Sequence, residues 1–239
     1  MANKSSLDFI LLTDNPKLRS KTWDIRLVEP VLPNDLIRSQ RHLKILGHHA
    51  LKGFQQTLYI DNSILLTAPA EKVFERYAGK AALAMMVHSF RKNVLAEFEE
   101  VTVRSLDDPE LVARQKAHYE SSSPKILMQK PYSTGIHIKD HSNPNLHVLM
   151  KVWYDEVIQY SRRDQLSINA AIELSGVRVF DIEVDNYRSW FHRWPVSRNR
   201  QHSIRHWGGV QPITESQTEQ ILRISSSIKY RMKRLRGAK

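Results

Sequence analysis

The sequence predicts an α/β fold with a mostly parallel central sheet and helices on both faces. Apolar runs of the kind found in buried strands alternate along the chain with amphipathic segments of helical period. Strands and helices in that order usually form a parallel sheet. The 239 residues, 41% of them apolar, are enough to bury one such core. We therefore expect one domain over residues 1–212 and a C-terminal basic amphipathic helix over residues 213–239, packed on the domain or extending from it.

The first half of the chain contains the clearest strands. Leu7–Thr13 is a continuous apolar run closed by Asp14-Asn15-Pro16, which predicts a buried strand and a turn. The other elements predicted in this half are strands at Trp23–Val28, Thr57–Leu66 and Ala82–His88, and helices at Leu36–Lys52 and Ala70–Tyr77.

The second half is predicted to be richer in helices. Asp107-Asp108-Pro109 supplies a cap and a first-turn proline for a helix running to about Tyr119. The elements predicted after it are a strand at Tyr132–Lys139, a helix that follows Pro144 and runs through Tyr160, a helix at Arg163–Leu174, a stop at Gly176 and a strand at Val177–Val184. Residues 186–211 are irregular, and Thr214 and Gln217 form a capping box for the final helix.

The composition narrows the class of protein. A formal charge of +11 favours an anionic ligand, whether a phosphate-bearing substrate, nucleic acid or anionic lipid. No recognised nucleic-acid-binding motif occurs, so nucleic acid is the less favoured partner. The absence of cysteine excludes thiolate metal sites. Without a long apolar run or a secretory signal, we expect a cytoplasmic protein, whose basic C-terminal helix could contact the inner face of an anionic membrane.

Asp61 is a conspicuous candidate, because it lies inside the apolar strand predicted at Thr57–Leu66. An ionised carboxylate is costly there unless it is paired, hydrogen-bonded or bound to a metal. Side chains two residues apart on a strand point the same way, so Asp61 and Ser63 could present two oxygens to one cation or to one ribose-phosphate unit. The alternative is a turn at Asp61-Asn62 that simply ends the strand.

Two further groups could meet a nucleotide. Asp14 follows the first predicted strand, at the carboxyl end where open α/β sheets bind nucleotides, although a simple turn explains it equally well. Arg41, Lys44 and His48 are three and four residues apart, so they share a helix face that could bind a diphosphate. A solvated basic face is the more frequent structure for such a stripe.

Asp164 and several other residues are weaker candidates on pattern alone. Asp164 lies three residues after Ser161, which is also the spacing of a helix cap. His88 with Arg91 is another candidate pair. A histidine near aromatic residues is usually packed and hydrogen-bonded, so only His192 is kept as a possible metal ligand.

Several of these segments, taken in order, resemble a glycosyltransferase-like family with members among plant mucilage and cell-wall proteins and in many bacteria. The most specific pieces are TLYIDNSI at Thr57–Ile64 and SRRDQLSI at Ser161–Ile168. The other matching pieces are FILLTDN at Phe9–Asn15, Arg41 with Lys44 and His48, His88 with Arg91, Arg114 with Gln115, and Trp153 with Glu156. Together they span roughly Phe9 to Trp194.

The resemblance implies a GT-A-like fold, in which a short acidic motif at the end of a central strand holds a divalent cation on the diphosphate of a nucleotide-sugar. Asp61 is the position that carries over, with manganese or magnesium as the expected ion. Ser63 stands where family members tend to have asparagine or aspartate, and serine is a weaker ligand. If the metal is absent, Arg41 and Lys44 would supply the positive charge. Arg163-Asp164-Gln165 would line the sugar pocket, where Asp164 would orient hydroxyls or act as a base.

On this basis we assign the candidate residues to four groups. The donor or nucleotide residues are Asp14, Arg41, Lys44, His48, Asp61 and Ser63. The sugar or acceptor pocket comprises His88, Arg91, Thr134, Gly135 and Arg163. The residues nearest the chemistry are Asp164 and Gln165. The candidate metal ligands are Asp61, Ser63 and His192.

The predicted function is transfer of a sugar from a nucleotide-diphosphate sugar to an acceptor hydroxyl, on a surface polysaccharide or a glycolipid. Two alternatives stay open. One is a degenerate transferase fold that binds a glycan or partner without turnover. Ser63 favours it, and so does the N-terminus, where only Met1–Ser6 precede the first matching segment and the family's usual first strand is expected to be missing. The other is a basic nucleic-acid-binding protein.

Overall fold

The computed structural model describes residues 5–194, which form a mixed α/β fold. The α-helices of this part are α1 (Leu36–Ile45), α2 (Ala70–Tyr77), α3 (Val94–Val103), α4 (Pro109–Ser122), α5 (Lys125–Met128), α6 (Pro144–Gln159) and α7 (Ile168–Ser175). Its strands are β1 (Ile10–Thr13), β2 (Asp24–Leu27), β3 (Gln56–Ile60), β4 (Leu65–Leu66), β5 (Leu83–Val87), β6 (Tyr132–Asp140), β7 (Val179–Ile182) and β8 (His192–Arg193). The predicted α/β class is confirmed.

The central sheet is mixed, which corrects the predicted mostly parallel sheet. Its strand order is β3-β6-β5-β7. Strand β6 runs antiparallel to both neighbours, and only β5 and β7 pair in parallel. Strands buried on both faces have continuous apolar sequences whichever way they run, so the sequence could not reveal the direction of β6.

The predicted first strand lies outside that sheet. β1 pairs in parallel with β2 alone, and its residues are only partly buried. The strand predicted at Thr57–Leu66 is divided into β3 and β4, because the chain turns at Asp61-Asn62. β4 then pairs with β8 in another two-stranded sheet, and this one is antiparallel.

Most predicted helices are present, with local differences. α2 has the predicted bounds, and the predicted helix α6 is present, beginning at Pro144 itself. The helix predicted at Leu36–Lys52 ends at Ile45, followed by Gly47 at a φ of +84° and a 3₁₀ turn at His49–Leu51. A 3₁₀ turn at Asp164–Leu166 precedes α7, and Gly176 is left-handed, as a helix stop requires. Helices α3 and α5 were not predicted.

The orientation of α1 places a charged residue in the interior. Lys44 and Ile45 are buried on this helix, whereas Leu36 is 57% exposed. The basic stripe is therefore not simply a solvated face. The largest packing groups lie on either side of the central sheet, with Trp153 of α6 fully buried on one side and Phe191 on the other.

The described helices are all too short or too polar to cross a membrane. The C-terminal helix predicted at residues 213–239, the domain boundary at residue 212 and the membrane contact through that helix fall outside the described residues. They remain predictions.

Candidate active site

Lys44 lies between the two carboxylates that the sequence singled out. Its Nζ is 2.6 Å from Asp164 Oδ2 and 3.8 Å from Asp61 Oδ1, and it donates a hydrogen bond of 3.0 Å to Thr134 Oγ1. Arg41, one helical turn earlier on α1, brings its Nε to 3.2 Å from Asp164 Oδ1. Residues about 100 positions apart in the chain thus share one cluster of charges.

An irregularity in β6 shapes the floor of this cluster. Met85 pairs with His137 but Met86 pairs with Ser133, so the residues between them bulge out of the ladder with β5. Thr134 lies in the bulge, where its hydroxyl meets Lys44. Bulges commonly redirect side chains beside functional sites.

Asp61 lies where the chain leaves β3. Its backbone N–H donates to Gly135 O at 2.9 Å, and Oδ1 accepts a 2.7 Å hydrogen bond from the hydroxyl of Tyr59. Burial, reinforced by the nearby Asp61 charge, raises the pKa of Tyr59 well above its usual value, so the phenol stays a donor. Oδ2 has no hydrogen-bond partner in the described part of the chain, and the side chain is 33% exposed. One oxygen is therefore available to a ligand.

Gly135 allows this arrangement because it carries no side chain. A β-carbon at this position would lie 3.2 Å from Ile64 Cδ1 and 3.3 Å from Asp61 Oδ2, which is closer than ordinary van der Waals contact. The glycine therefore leaves room for the Asp61 carboxylate.

Asp164 is an ionised carboxylate in the interior. Burial by itself would raise its pKa, but the cations of Lys44 and Arg41 outweigh that effect and hold the pKa below its usual range. Its backbone carbonyl accepts a 2.9 Å hydrogen bond from Trp153 Nε1, which fixes the 3₁₀ turn to helix α6. The adjacent Gln165 contacts Tyr132 O through Nε2 at 3.4 Å.

Asp107 holds the loop that carries Asp164 in place. It was not among the site residues predicted from the sequence. The Asp107 side chain is 3% exposed, and its Oδ2 accepts from Ser161 Oγ at 2.5 Å and from the Arg162 N–H at 2.8 Å. Its Oδ1 pairs with Arg162 Nε at 2.9 Å. Only the adjacent Asp108 caps α4. The Asp-Asp-Pro pattern could not reveal this contact with a loop over 50 residues away.

A buried polar network lies beneath the same loop. Tyr119 donates a 2.5 Å hydrogen bond to Glu156 Oε2, and Gln115 donates from Nε2 to the Tyr119 oxygen at 2.9 Å and to Ser167 Oγ at 3.3 Å. Burial raises the pKa of both Tyr119 and Glu156. Two of the positions in the resemblance, Gln115 and Glu156, therefore support the loop from inside.

A second charged group lies along the same groove. Arg91 pairs with Glu97 Oε2 at 2.8 Å and with Glu100 Oε1 at 3.0 Å, and Arg104 also pairs with Glu100. His88 Nε2 is 3.8 Å from Glu97 Oε2, and burial lowers the pKa of His88 to about 3. The guanidinium of Arg91 is thus already engaged by two carboxylates.

The remaining predicted residues are placed less centrally. His48 lines the groove, with its Nδ1 accepting from the Ala50 N–H at 3.1 Å. Asp14 is exposed at the end of β1, away from the central sheet, and does not line the groove. His192 is fully buried, with Nδ1 2.7 Å from Ser189 Oγ and Nε2 3.0 Å from Asn186 O.

The groove has a volume of about 1620 Å³ and runs past both carboxylates. Its lining includes every predicted donor residue except Asp14, as well as Arg91, Thr134, Gly135, Arg163, Asp164 and Gln165. His88 does not line it. This volume exceeds the usual range for small-ligand pockets.

The residues present do not suit the divalent cation that the resemblance implies. Within residues 5–194 no three histidine or acidic side chains are grouped to hold a metal ion. Ser63 accepts a 2.9 Å hydrogen bond from Trp194 Nε1 and is buried. Asp61 Oδ1 is engaged by Tyr59, with the Lys44 ammonium 3.8 Å away, where it would repel a second cation. His192 has partners on both ring nitrogens, so it does not join this group.

The mixed α/β sheet and its groove place carboxylates and cations side by side, an arrangement that is able to bind anions and hydroxyl groups. Comparison with protein families shows to which family the chain belongs. The model of the TOD1/MUCI70, glycosyltransferase-like domain matches residues 11–184. The chain therefore belongs to this family, as the resemblance in its sequence indicated. Comparison with curated proteins finds no match.

Proposed function

We propose that the chain is a glycosyltransferase that moves a sugar from a nucleotide-diphosphate sugar to an acceptor hydroxyl. The single observation that carries this proposal is the bridge formed by Lys44 between Asp61 and Asp164 at the wall of one groove. Family membership supports it independently.

In this proposal Asp61 binds the nucleotide portion of the donor. Its Oδ2 is accessible and can accept from ribose hydroxyls, while Tyr59 and the Gly135 carbonyl hold the residue in place. Hydrogen bonds from hydroxyls to a carboxylate are stronger than those between neutral groups.

The positive charge for the leaving diphosphate comes from side chains. Lys44, Arg41 and Arg163 all line the groove next to Asp164. When the acceptor oxygen bonds to the anomeric carbon, the bond from that carbon to the diphosphate oxygen breaks. The nucleoside diphosphate then leaves with the electron pair, and the hydroxyl proton passes to solvent. Fixed cations stabilise the charge that develops on the leaving group.

Asp164 is better suited to orient sugar hydroxyls than to remove a proton. An efficient general base has a pKa near the working pH, and the cations beside Asp164 hold its pKa far below that range. A permanently ionised carboxylate instead accepts a hydrogen bond from a sugar hydroxyl in a fixed geometry.

The test is a thermal-shift and turnover screen of nucleoside diphosphates and their sugar conjugates. A ligand that binds only the folded state raises the melting temperature. We expect wild type to bind one nucleotide class and to transfer or hydrolyse its sugar. Asp61→Asn should lose both properties, and Asp164→Asn should lose turnover. Asp155→Asn, at an exposed ion pair on α6, is the control. Binding without turnover would support the degenerate fold, and no binding by any nucleotide would overturn the proposal.

A further inference from the structure

A second cavity opens beside the groove, and we call it the side pocket. It has a volume of about 290 Å³. It is lined by Gln40 together with three apolar side chains and three arginines: Leu36, Ile37, Leu106, Arg41, Arg162 and Arg163. This size is at the low end of the range for small-ligand sites.

The side pocket and the groove meet beside Asp164. Arg41, Arg163 and Leu106 line both cavities, whereas Leu36 and Ile37 line the side pocket only. Of these shared residues, Arg41 forms an ion pair with the Asp164 carboxylate. A transferase needs two substrates to meet at one point, and these two cavities have that relationship.

The apolar residues of the side pocket are unusually exposed. Leu36 is 57% exposed, Ile37 43% and Leu106 39%. Large apolar side chains grouped at a cavity mouth mark a binding surface more often than scattered ones do. A hydrocarbon portion of a ligand would cover them.

The arginines of the side pocket have unused hydrogen-bonding capacity. Arg163 Nε is buried and has no hydrogen-bond partner in the described part of the chain, and its Nη2 reaches only Gln165 Oε1 at 3.4 Å. Arg162 uses Nε for Asp107, and its side chain is 37% exposed. A buried N–H without a partner is costly, and a phosphate oxygen would satisfy it.

We propose that the side pocket binds an acceptor whose sugar is joined through a phosphate to a hydrocarbon chain. The phosphate contacts Arg162 and Arg163, and the chain lies over Leu36, Ile37 and Leu106. The acceptor hydroxyl then faces Asp164 and the donor. This inference rests on the proposed function and specifies its acceptor class.

The test uses titration calorimetry with octyl phosphate, which carries the chain and the charge without any particular sugar. Inorganic phosphate and octyl glucoside each supply one of the two features. We expect octyl phosphate to bind at least about tenfold more tightly than either, because tenfold corresponds to one modest contact. Equal binding of inorganic phosphate would reveal a simple anion site and overturn the proposal.

Variants of residues that line only the side pocket separate the two cavities. Ile37→Ser and Arg162→Gln should each weaken octyl phosphate binding about tenfold, and Ile37→Ser should leave nucleoside diphosphate binding unchanged. The controls are Val148→Ser, at an equally exposed apolar position on α6, and Arg178→Gln, an exposed arginine elsewhere. Melting temperatures verify that each variant is folded, and Ile37→Ser leaves the Asp107 contacts of Arg162 intact.

The outcomes distinguish this inference from the proposed function. If nucleoside diphosphate binds but octyl phosphate does not, or if Ile37→Ser binds it normally, the acceptor proposal is wrong and the donor proposal stands. If octyl phosphate binds but no nucleotide does, the proposed function fails. Binding only to anionic vesicles would indicate a membrane surface and would also overturn the acceptor proposal.

Discussion

Lys44 and Asp164 form a buried ion pair, with 2.6 Å between Nζ and Oδ2 and with both side chains less than 5% exposed. Charges are rarely buried in this way unless each has a partner. Arg41 forms a second ion pair with Asp164, and Thr134 accepts a hydrogen bond from Lys44. The pair therefore fixes the position of Asp164 relative to Asp61, and loss of either partner would leave a buried charge without compensation.

Removing the Lys44 ammonium should lower the free energy of unfolding. Lys44→Met leaves Asp164 buried with Arg41 as its remaining close cation, and removal of one partner of a buried pair costs about 3 kcal/mol or more. We expect that loss in the free energy of unfolding, measured with urea. The matched control is Lys151→Met, whose exposed ion pair with Asp155 should contribute less than about 1 kcal/mol. Equal small losses in both variants would show that the buried pair does not stabilise the fold.

Crowding at Gly135 should weaken donor binding more than it weakens the fold. Gly135→Ala places a methyl group against Asp61 Oδ2, so we expect nucleoside diphosphate affinity to fall about tenfold. Gly176→Ala is the contrasting variant. Its φ of +63° makes alanine strained by about 1 kcal/mol, but it lies at the end of α7 away from the groove. Unchanged affinity in Gly135→Ala would disprove the role assigned to the Asp61 carboxylate.

The sequence singled out the two carboxylates and Lys44, but it did not predict the contacts that connect them. Asp61 stood out because a charge inside an apolar strand needs a partner, and Asp164 because of its motif. The burial of Lys44 depends on Thr134 and Asp164, which are 90 and 120 positions away, so no local pattern could reveal it. The direction of β6 could not be predicted for the same reason, because the pairing of strands depends on contacts between residues far apart in the chain.

Stability should fall as the pH is lowered below about 6.5. Burial lowers the pKa of His192 to about 4, that of His88 to about 3 and that of His137 well below its usual value. The unfolded chain therefore binds more protons than the folded one, and folding loses up to about 1.4 kcal/mol per pH unit for each histidine. The low pKa of Asp164 keeps that carboxylate ionised throughout this range.

Urea unfolding at pH 7, 6 and 5 measures this effect. The variant His192→Gln should lower the free energy of unfolding at pH 7 yet show a shallower dependence on pH. His147→Gln, at an exposed position on α6, should keep the wild-type slope. A free energy of unfolding that stays constant from pH 7 to pH 5 would contradict the prediction.

Removal of divalent cations should leave donor binding largely unchanged. Lys44, Arg41 and Arg163 line the groove where the diphosphate is proposed to bind, and Ser63 is engaged by Trp194. We therefore expect nucleoside diphosphate affinity in the presence of a chelator to lie within about threefold of that with manganese, a difference below 1 kcal/mol. Binding that requires manganese would instead support a metal site at Asp61. It would refute the proposal that side chains neutralise the charge of the diphosphate.

The loop that carries Asp164 should depend on the charge of Asp107. Asp107→Asn keeps the shape of the side chain but loses one of two acceptor oxygens, which now serve Ser161 Oγ, the Arg162 N–H and Arg162 Nε. Hydrogen bonds to charged groups contribute about 1.5–3 kcal/mol each, so we expect a loss of about 2 kcal/mol in the free energy of unfolding and weaker donor binding. The neighbouring Asp108→Asn is the matched control, because asparagine caps a helix as well as aspartate does. If both substitutions had the same effect, the cap of α4 would account for it, and the contact between Asp107 and the loop would have no separate importance.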